Sequence, residues 1–181
     1  MELIGNAQSR LIVIRGNSGS GKSALAMAIR NRRPRGIAII GQDVLRRNIL
    51  HVPDIKPSLA ADYIDVSARF ALNRGLHVII EGILRDDIYG DMLRGLICCH
   101  NGKSCCYRYK ISFDETLRRH KTKAEAAEFG EIEMRQWWQD DDALAGVEEL
   151  IIGPDQPLAD TVAEVIANCG WEPRSANDVS R

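Results

Sequence analysis

Short runs of consecutive apolar residues recur at intervals along the chain, and Leu11-Ile12-Val13-Ile14 is typical of them. A strand that is apolar on both faces is the pattern of a parallel sheet covered by helices on each side. The pattern predicts strands over residues 11–14, 36–40, 77–81, 105–111 and 149–152.

Between these runs, apolar residues recur at helical spacing, as Ile64, Ala68 and Ala71 do. Pro34 forbids continuation of the first helical stretch, and Gly75 ends the longest one. The helices predicted in this way cover residues 22–31, 43–50, 58–73, 86–97, 114–123 and 157–168.

The alternation of strands and helices predicts one α/β domain. Its three layers would have a five-stranded, mostly parallel sheet in the middle. The domain is expected to cover residues 1–171, followed by a polar tail over 172–181. A chain of 181 residues is long enough to bury a core of its own.

A glycine-rich loop separates the first strand from the first helix, and it matches the phosphate-loop pattern G-x-x-x-x-G-K-[ST] in full. Its glycines let successive N–H groups point at phosphate oxygens, and the following helix adds its positive end. Lys22 is expected to reach the β- and γ-phosphates and to act catalytically, while the Ser23 hydroxyl binds Mg²⁺. The predicted nucleotide-binding residues are Gly16, Asn17, Ser18, Gly19, Ser20, Gly21, Lys22 and Ser23.

Two carboxylates stand where predicted strands end. Asp43 follows the second strand and Glu81 closes the third, at the edge where open α/β sheets bind ligands. Either could take the proton of an acceptor hydroxyl, and the other could hold Mg²⁺ through water or bind the substrate. Asp43 is favoured as the base, because Arg46 lies one helical turn away and could bind the acceptor. The alternatives are a helix-capping Asp43 in a surface ion pair and a structural hydrogen bond at Glu81.

A basic cluster follows the fourth predicted strand and includes Arg118, Arg119, Lys121 and Lys123. Kinases close a cationic lid over the phosphates, because phosphoryl transfer in water is wasteful. The sequence predicts such a helical lid over residues 118–142, with Arg119 catalytic and with Arg118 and Lys123 binding the nucleotide. The alternative is an ordinary solvated helix face.

Composition limits the classes of partner. The formal net charge is −1, which argues against nucleic acid or an anionic membrane as the partner. No apolar run approaches the roughly 18 residues of a membrane span, and the first ten residues do not resemble a signal peptide. The 5 cysteines are expected to be reduced thiols of a cytoplasmic protein. A homodimer is compatible with the sequence.

The cysteines near the fourth strand resemble a metal cluster at first sight. Cys98-Cys99-His100 and Cys105-Cys106 flank an Asn-Gly turn. Adjacent side chains on a strand point to opposite faces, and paired cysteines lack the C-x-x-C spacing of zinc sites. Core thiols are the better interpretation.

The end of the charged stretch carries two tryptophans and three aspartates. Either Trp137 or Trp138 is expected to pack the lid onto the body, with a stacking platform for a base as the alternative. The acidic triplet at residues 140–142 is expected to be solvated.

These features resemble one group of enzymes over residues 10–168. The phosphate loop, Asp43-Val44-Leu45-Arg46 and the 111–120 segment are similar to small P-loop kinases of the chloramphenicol phosphotransferase and zeta-toxin type. The D-x-x-R segment also resembles polynucleotide kinases, and the likeness extends more loosely to gluconate and shikimate kinases.

The resemblance implies a P-loop kinase fold and phosphorylation of a small-molecule hydroxyl. It implies ATP as the phosphate donor, with GTP as the alternative, and Mg²⁺ as the cofactor. Asp43 would be the base, and Asp43, Arg46 and Glu81 would bind the acceptor. The leading acceptor is a nucleoside-like compound or another antibiotic, which would make the protein a resistance kinase. The alternatives are a toxin kinase acting on an amino-sugar nucleotide and a nucleotide-dependent switch or NTPase that has no small-molecule acceptor.

Overall fold

The central sheet has five strands in the order β2-β3-β1-β4-β5, and each neighbouring pair is parallel. The structure is a computed structural model that describes residues 2–32, 35–122 and 129–171. The predicted α/β sheet is therefore confirmed, and its described strands are parallel throughout. The strands are β1 (Arg10–Arg15), β2 (Ile37–Gly41), β3 (His77–Gly82), β4 (Lys103–Tyr109) and β5 (Leu150–Ile152).

The helices follow the predicted order with two differences. Residues 43–50 were expected to form an α-helix, but Val44–Leu50 is a π-helix. A short helix, α5, lies inside the charged stretch, where no separate helix was predicted. Among the described helices, none has both the length and the apolar character needed to cross a bilayer. The α-helices are α1 (Lys22–Arg32), α2 (Leu59–Asn73), α3 (Asp86–Cys99), α4 (Phe113–His120), α5 (Glu131–Gln136) and α6 (Leu158–Asn168).

Helices cover both faces of the sheet, and the alternation along β1 shows how. Leu11 and Val13 point into a core shared with α2 and α3. Ile12 and Ile14 point into a second core shared with α1 and α6. All four side chains are fully buried, as expected for a central strand apolar on both faces. The predicted three-layer arrangement is confirmed.

The strand register brings the polar strand ends to one level of the sheet. Glu81 on β3 lies opposite Ile14 on β1 and opposite Gly41 on β2. The chain leaves β1 into the phosphate loop and leaves β2 toward Asp43. Because parallel strands end on the same side, all three features meet at one edge of the sheet.

A buried arginine ties the end of the predicted lid to this edge. Arg15 is only 1% exposed, and its guanidinium pairs with Asp142 and Glu149, each at 2.8 Å. It also donates to the Leu84 carbonyl at 2.9 Å. The acidic triplet was expected to be solvated, and this is wrong for Asp142. Its side chain is partly buried because it pairs with the buried guanidinium of Arg15 on β1.

Candidate active site

The phosphate loop follows β1. At one position, Gly19, the backbone conformation and a close contact leave room only for glycine. Gly19 has φ +79°, and a Cβ atom added there would lie 2.6 Å from the Thr116 carbonyl oxygen. The Lys22 ammonium donates to the Asn17 carbonyl at 2.8 Å. Because α1 begins at Lys22, the positive end of its dipole lies at the loop. The loop therefore has the features of an anion-binding turn.

The hydroxyl of the last loop residue contacts the carboxylate that closes β3. Ser23 Oγ donates to Glu81 Oε2 at 3.1 Å. Mg²⁺ in nucleotide sites is bound through a few hard oxygen ligands, with phosphate oxygens and water completing the octahedron. Ser23 and Glu81 fit this requirement. Within the described ranges, no group of three or more His, Cys, Asp or Glu side chains could hold a metal.

Asp43 lies beyond β2, directly before the π-helix, and pairs with Arg46 across one turn. Arg46 Nη2 donates to Asp43 Oδ1 at 3.0 Å, as the D-x-x-R spacing predicts. Asp43 occupies the capping position of the π-helix, but its side chain makes no capping hydrogen bond. Its carboxylate is 61% exposed. Helix capping therefore does not account for this carboxylate.

Gln42 fixes the backbone on the other side of Asp43. This buried side chain accepts from the Ile83 amide at 3.0 Å and donates to Tyr89 Oη at 3.0 Å. It also donates to Asp54 Oδ2 at 3.1 Å, and Tyr89 donates to the second oxygen of Asp54 at 2.5 Å. Burial, followed by the Asp54 carboxylate, raises the pKa of Tyr89, so that the phenol remains a donor. The ends of β2 and β3 are thereby joined next to Asp43.

Two cavities adjoin at this edge of the sheet. The first has a volume of about 340 Å³, and its walls include Lys22, Ser23 and Glu81; we call it the phosphate cavity. The second has a volume of about 390 Å³, and its walls include Arg46 and Arg85; we call it the acceptor cavity. The residues that line both cavities are Ser18, Asp43, Arg47, Ile83 and Phe129.

Several solved kinases share this fold at low sequence identity. No protein-family profile matches the sequence, and no curated protein matches it. A gluconokinase from Sinorhizobium meliloti superposes with a TM-score of 0.65 at 20% identity, covering 100% of both chains. The APS kinase of Mycobacterium tuberculosis, solved with AMPPNP and APS, gives 0.62 at 18% identity over 89% of this chain and 97% of its own. A sugar kinase from Janibacter gives 0.66 at 15% identity over 91% and 96%.

The chain has the fold of the small P-loop kinases. This confirms the fold and the resemblance predicted from the phosphate loop and its neighbouring strand ends. At these identities the likeness concerns the fold, so the roles of individual residues depend on the geometry of this chain.

In this P-loop kinase fold, the predicted lid begins in α4, which packs directly on the phosphate loop. Arg119 donates to the Ser20 carbonyl at 2.9 Å and to the Pro154 carbonyl at 2.7 Å. It also pairs with Glu115 at 2.6 Å. The structure thus places Arg119 beside the loop, with its donors bound to protein acceptors.

The other two predicted lid cations have different positions. Arg118 is 71% exposed and pairs with Glu115 at 2.7 Å, and it does not line either cavity as the structure describes them. Arg118, followed by Arg119, lowers the pKa of Glu115 to about 2, so the carboxylate is ionised at neutral pH. Lys123 lies outside the described residues.

The far end of the lid segment is joined to the loop by a reciprocal amide contact. Asn17 Nδ2 donates to the Gln139 carbonyl at 2.7 Å, and the Gln139 amide donates to Asn17 Oδ1 at 3.0 Å. The loop motif leaves the identity of residue 17 open, so the sequence indicated nothing of this role. Asn17 therefore connects the phosphate loop to Gln139 in the segment predicted to be a lid.

An aromatic cluster links the lid to the cavities, and sequence reasoning missed most of it. His120 is buried, stacks on Phe129 at 4.5 Å and lines the phosphate cavity. Trp137 packs on Phe129 at 5.2 Å and lines the acceptor cavity. Trp138 packs edge-on against Phe113 at 5.3 Å. Each tryptophan thus contacts a phenylalanine, Phe129 or Phe113. His120 was not singled out from the sequence because it lies within the basic cluster.

Proposed function

We propose that this protein is an ATP- and Mg²⁺-dependent phosphotransferase that phosphorylates a hydroxyl group of a small molecule. The observation that carries the proposal is the position of Asp43, which lines both the phosphate cavity and the acceptor cavity. An acceptor in the second cavity would have its hydroxyl between this carboxylate and a γ-phosphate bound by the loop. Catalysis of phosphoryl transfer consists mainly of such positioning and of charge stabilisation.

The two carboxylates would have separate roles. Glu81 contacts the Ser23 hydroxyl, which supports a role on the Mg²⁺ side of the site. Asp43 contacts Arg46 at the acceptor side, which supports its role as the base. The acceptor hydroxyl would lose its proton to Asp43 while its oxygen bonds to the γ-phosphorus, and ADP would leave with the electrons of the broken P–O bond.

The lid contacts support a kinase over a simple nucleotide-binding turn. Lys22 would neutralise the β- and γ-phosphates, and Arg119 would hold α4 against the loop. Phe129 and Trp137 would exclude water from the transferred group and offer an apolar wall to the acceptor. Such a wall suits a ring-bearing acceptor, for example a nucleoside-like compound or another antibiotic.

Substitution of each carboxylate tests this division of roles. With an acceptor found by an ADP-release screen, Asp43→Asn should lower kcat roughly 100- to 10,000-fold and leave ATP binding intact. Glu81→Gln should raise the Mg²⁺ concentration for half-maximal activity about 10- to 100-fold, whereas Asp43→Asn should not change it.

The control for this experiment is Asp62→Asn, which alters an exposed carboxylate in the first turn of α2. It should leave both kcat and the Mg²⁺ requirement unchanged. Near-normal turnover by Asp43→Asn would reject Asp43 as the base. If Asp43→Asn shifted the Mg²⁺ requirement and Glu81→Gln did not, Asp43 would belong to the Mg²⁺ side and Glu81 would be the base.

A further inference from the structure

The long helix α2 carries apolar side chains on both of its faces. Its inner face packs in the core beside α3, through residues such as Ile64, Ala68 and Leu72. Its outer face carries four large side chains, each with between 40% and 62% of its surface exposed. A helix that is apolar all round is normally buried on all sides. We call these four residues the α2 stripe: Leu59, Tyr63, Val66 and Phe70.

The α2 stripe has the spacing of a helix–helix contact. Its members follow one another at intervals of four, three and four residues, which keeps them on one side of the helix. The intervals are the same when the stripe is read backwards. A second, antiparallel copy of α2 therefore sets Leu59 against Phe70 and Tyr63 against Val66, so that each contact joins a larger side chain to a smaller one.

The charges beside the stripe favour the same antiparallel arrangement. The first half of α2 carries Asp62 and Asp65, whereas Arg69 lies in the second half and Arg74 follows at the C-cap. Antiparallel copies place the acidic half of each helix beside the basic half of the other, and parallel copies would place like charges together. Arg74 lies over the Phe70 ring at 5.4 Å, which brings the basic end next to the stripe itself.

The stripe is large enough for a weak specific interface, and it lies apart from the active site. Its four side chains present roughly 500 Å² of apolar surface, so two copies would bury about 1,000 Å² in total. An interface of this size fits a reversible association in the micromolar range. No residue of α2 lines the phosphate cavity or the acceptor cavity as the structure describes them.

We propose that the α2 stripe binds the α2 stripe of a second copy of this chain, with the two helices antiparallel about a two-fold axis. The axis passes near the middle of the stripe, between the levels of Tyr63 and Val66. Both chains then use the same residues, and the assembly closes as a dimer. The proposal does not depend on the proposed function, because the pairing uses neither cavity.

Sedimentation velocity of the full chain tests the pairing. Between about 1 and 200 µM, the wild-type protein should change from the mass of one chain to twice that mass. Val66→Lys brings two ammonium groups together beside the axis and should raise the dissociation constant of the dimer at least about 100-fold. Lysine favours a helix more than valine does, so the variant should keep its fold, which circular dichroism checks.

Met27→Lys is the matched control, because Met27 is a 42% exposed apolar residue on α1, outside the stripe. It should leave the dissociation constant unchanged. Phe70→Ser provides a second variant at the end of the stripe and should weaken the dimer at least about tenfold. Neither Val66→Lys nor Phe70→Ser should change the affinity for ATP, since both positions lie outside the phosphate cavity.

The direction of the helices is tested by mixing two variants. Leu59→Lys and Phe70→Glu should each dimerise poorly alone, and an equimolar mixture should form heterodimers. Antiparallel pairing places the introduced lysine opposite the introduced glutamate at one end and leaves Leu59 against Phe70 at the other. In a parallel pair the two introduced charges would not meet.

Three results would overturn the proposal. One is a wild-type protein that has the mass of a single chain throughout the concentration range. Another is a dimer that is as stable in Val66→Lys and Phe70→Ser as in the wild type, which would place the interface elsewhere. The third is a mixture of Leu59→Lys and Phe70→Glu that associates no better than either variant alone.

Discussion

At the scale of single residues, the site is built from side chains that follow different strands: Ser23 contacts Glu81, and Asp43 pairs with Arg46. The spacing of the phosphate loop predicted Ser23, and the strand ends predicted Asp43 and Glu81. The contacts of Gln42 with Ile83 and Tyr89 depend on which loops meet in three dimensions, and no local pattern records that meeting. Residue type and position along a strand were sufficient for the first group only.

Gly19 gives a prediction at this scale. Gly19→Ala should lower the free energy of unfolding by roughly 2–5 kcal/mol, because it combines strain at positive φ with a contact between Cβ and the Thr116 carbonyl. Urea denaturation measures the change, and nucleotide binding should also be lost.

Gly146 provides the matched control, since its φ is +74° and a Cβ atom there would meet nothing within 4 Å. Gly146→Ala should cost only the backbone strain, about 1–2 kcal/mol. Equal costs for the two substitutions would show that the contact with α4 does not restrict the loop.

At the scale of elements, the long periodic helices and buried strands were predictable, and the short or irregular ones were not. Helix α5 has 6 residues and buries only Met134, so it offers too little periodicity to recognise. Its start depends on Glu133, which accepts a hydrogen bond from the Gly130 amide. The π-helix differs from an α-helix by its hydrogen-bond register, which residue spacing over 44–50 does not reveal.

The contact between Asn17 and Gln139 makes a testable link between two elements. Asn17→Ala removes both hydrogen bonds, with an expected local loss of roughly 1–3 kcal/mol. Amide hydrogen exchange in residues 137–142 should therefore become faster, and KM for ATP should rise several-fold.

Asn101→Ala, in the turn before β4, is the control and should leave exchange in that segment unchanged. Unchanged exchange in Asn17→Ala would mean that other contacts, such as those of Arg15 with Asp142, hold the segment by themselves.

At the scale of the whole molecule, Arg15 joins the centre of the sheet to the end of the predicted lid segment and the residues that follow it. Its two carboxylate partners come from positions 127 and 134 residues later in the chain. Arg15 stands at the end of an apolar strand, and this position does not indicate which carboxylates pair with it. One buried arginine therefore stabilises both the edge of the sheet at the site and the segment around residues 142–149.

Arg15→Leu should lower the free energy of unfolding by about 3 kcal/mol, because the partly buried Asp142 would lose its cation and the buried Glu149 would keep only Arg108. Chemical denaturation measures the loss. Arg69→Leu, which breaks the partly exposed pair with Asp65, should change stability by no more than about 1 kcal/mol. Similar small losses in both variants would show that the Arg15 network contributes little.

In the proposed reaction, a phosphoryl group passes from ATP in the phosphate cavity to an acceptor hydroxyl beside Asp43. Mass spectrometry of reactions containing γ-¹⁸O-labelled ATP, Mg²⁺ and a library of hydroxyl compounds tests this most directly. The predicted result is ADP release that depends on an acceptor, with the labelled phosphoryl group on that acceptor and loss of both in Asp43→Asn. Release of ADP and labelled inorganic phosphate at the same rate without any acceptor would contradict the claim and indicate a nucleotide-hydrolysing switch.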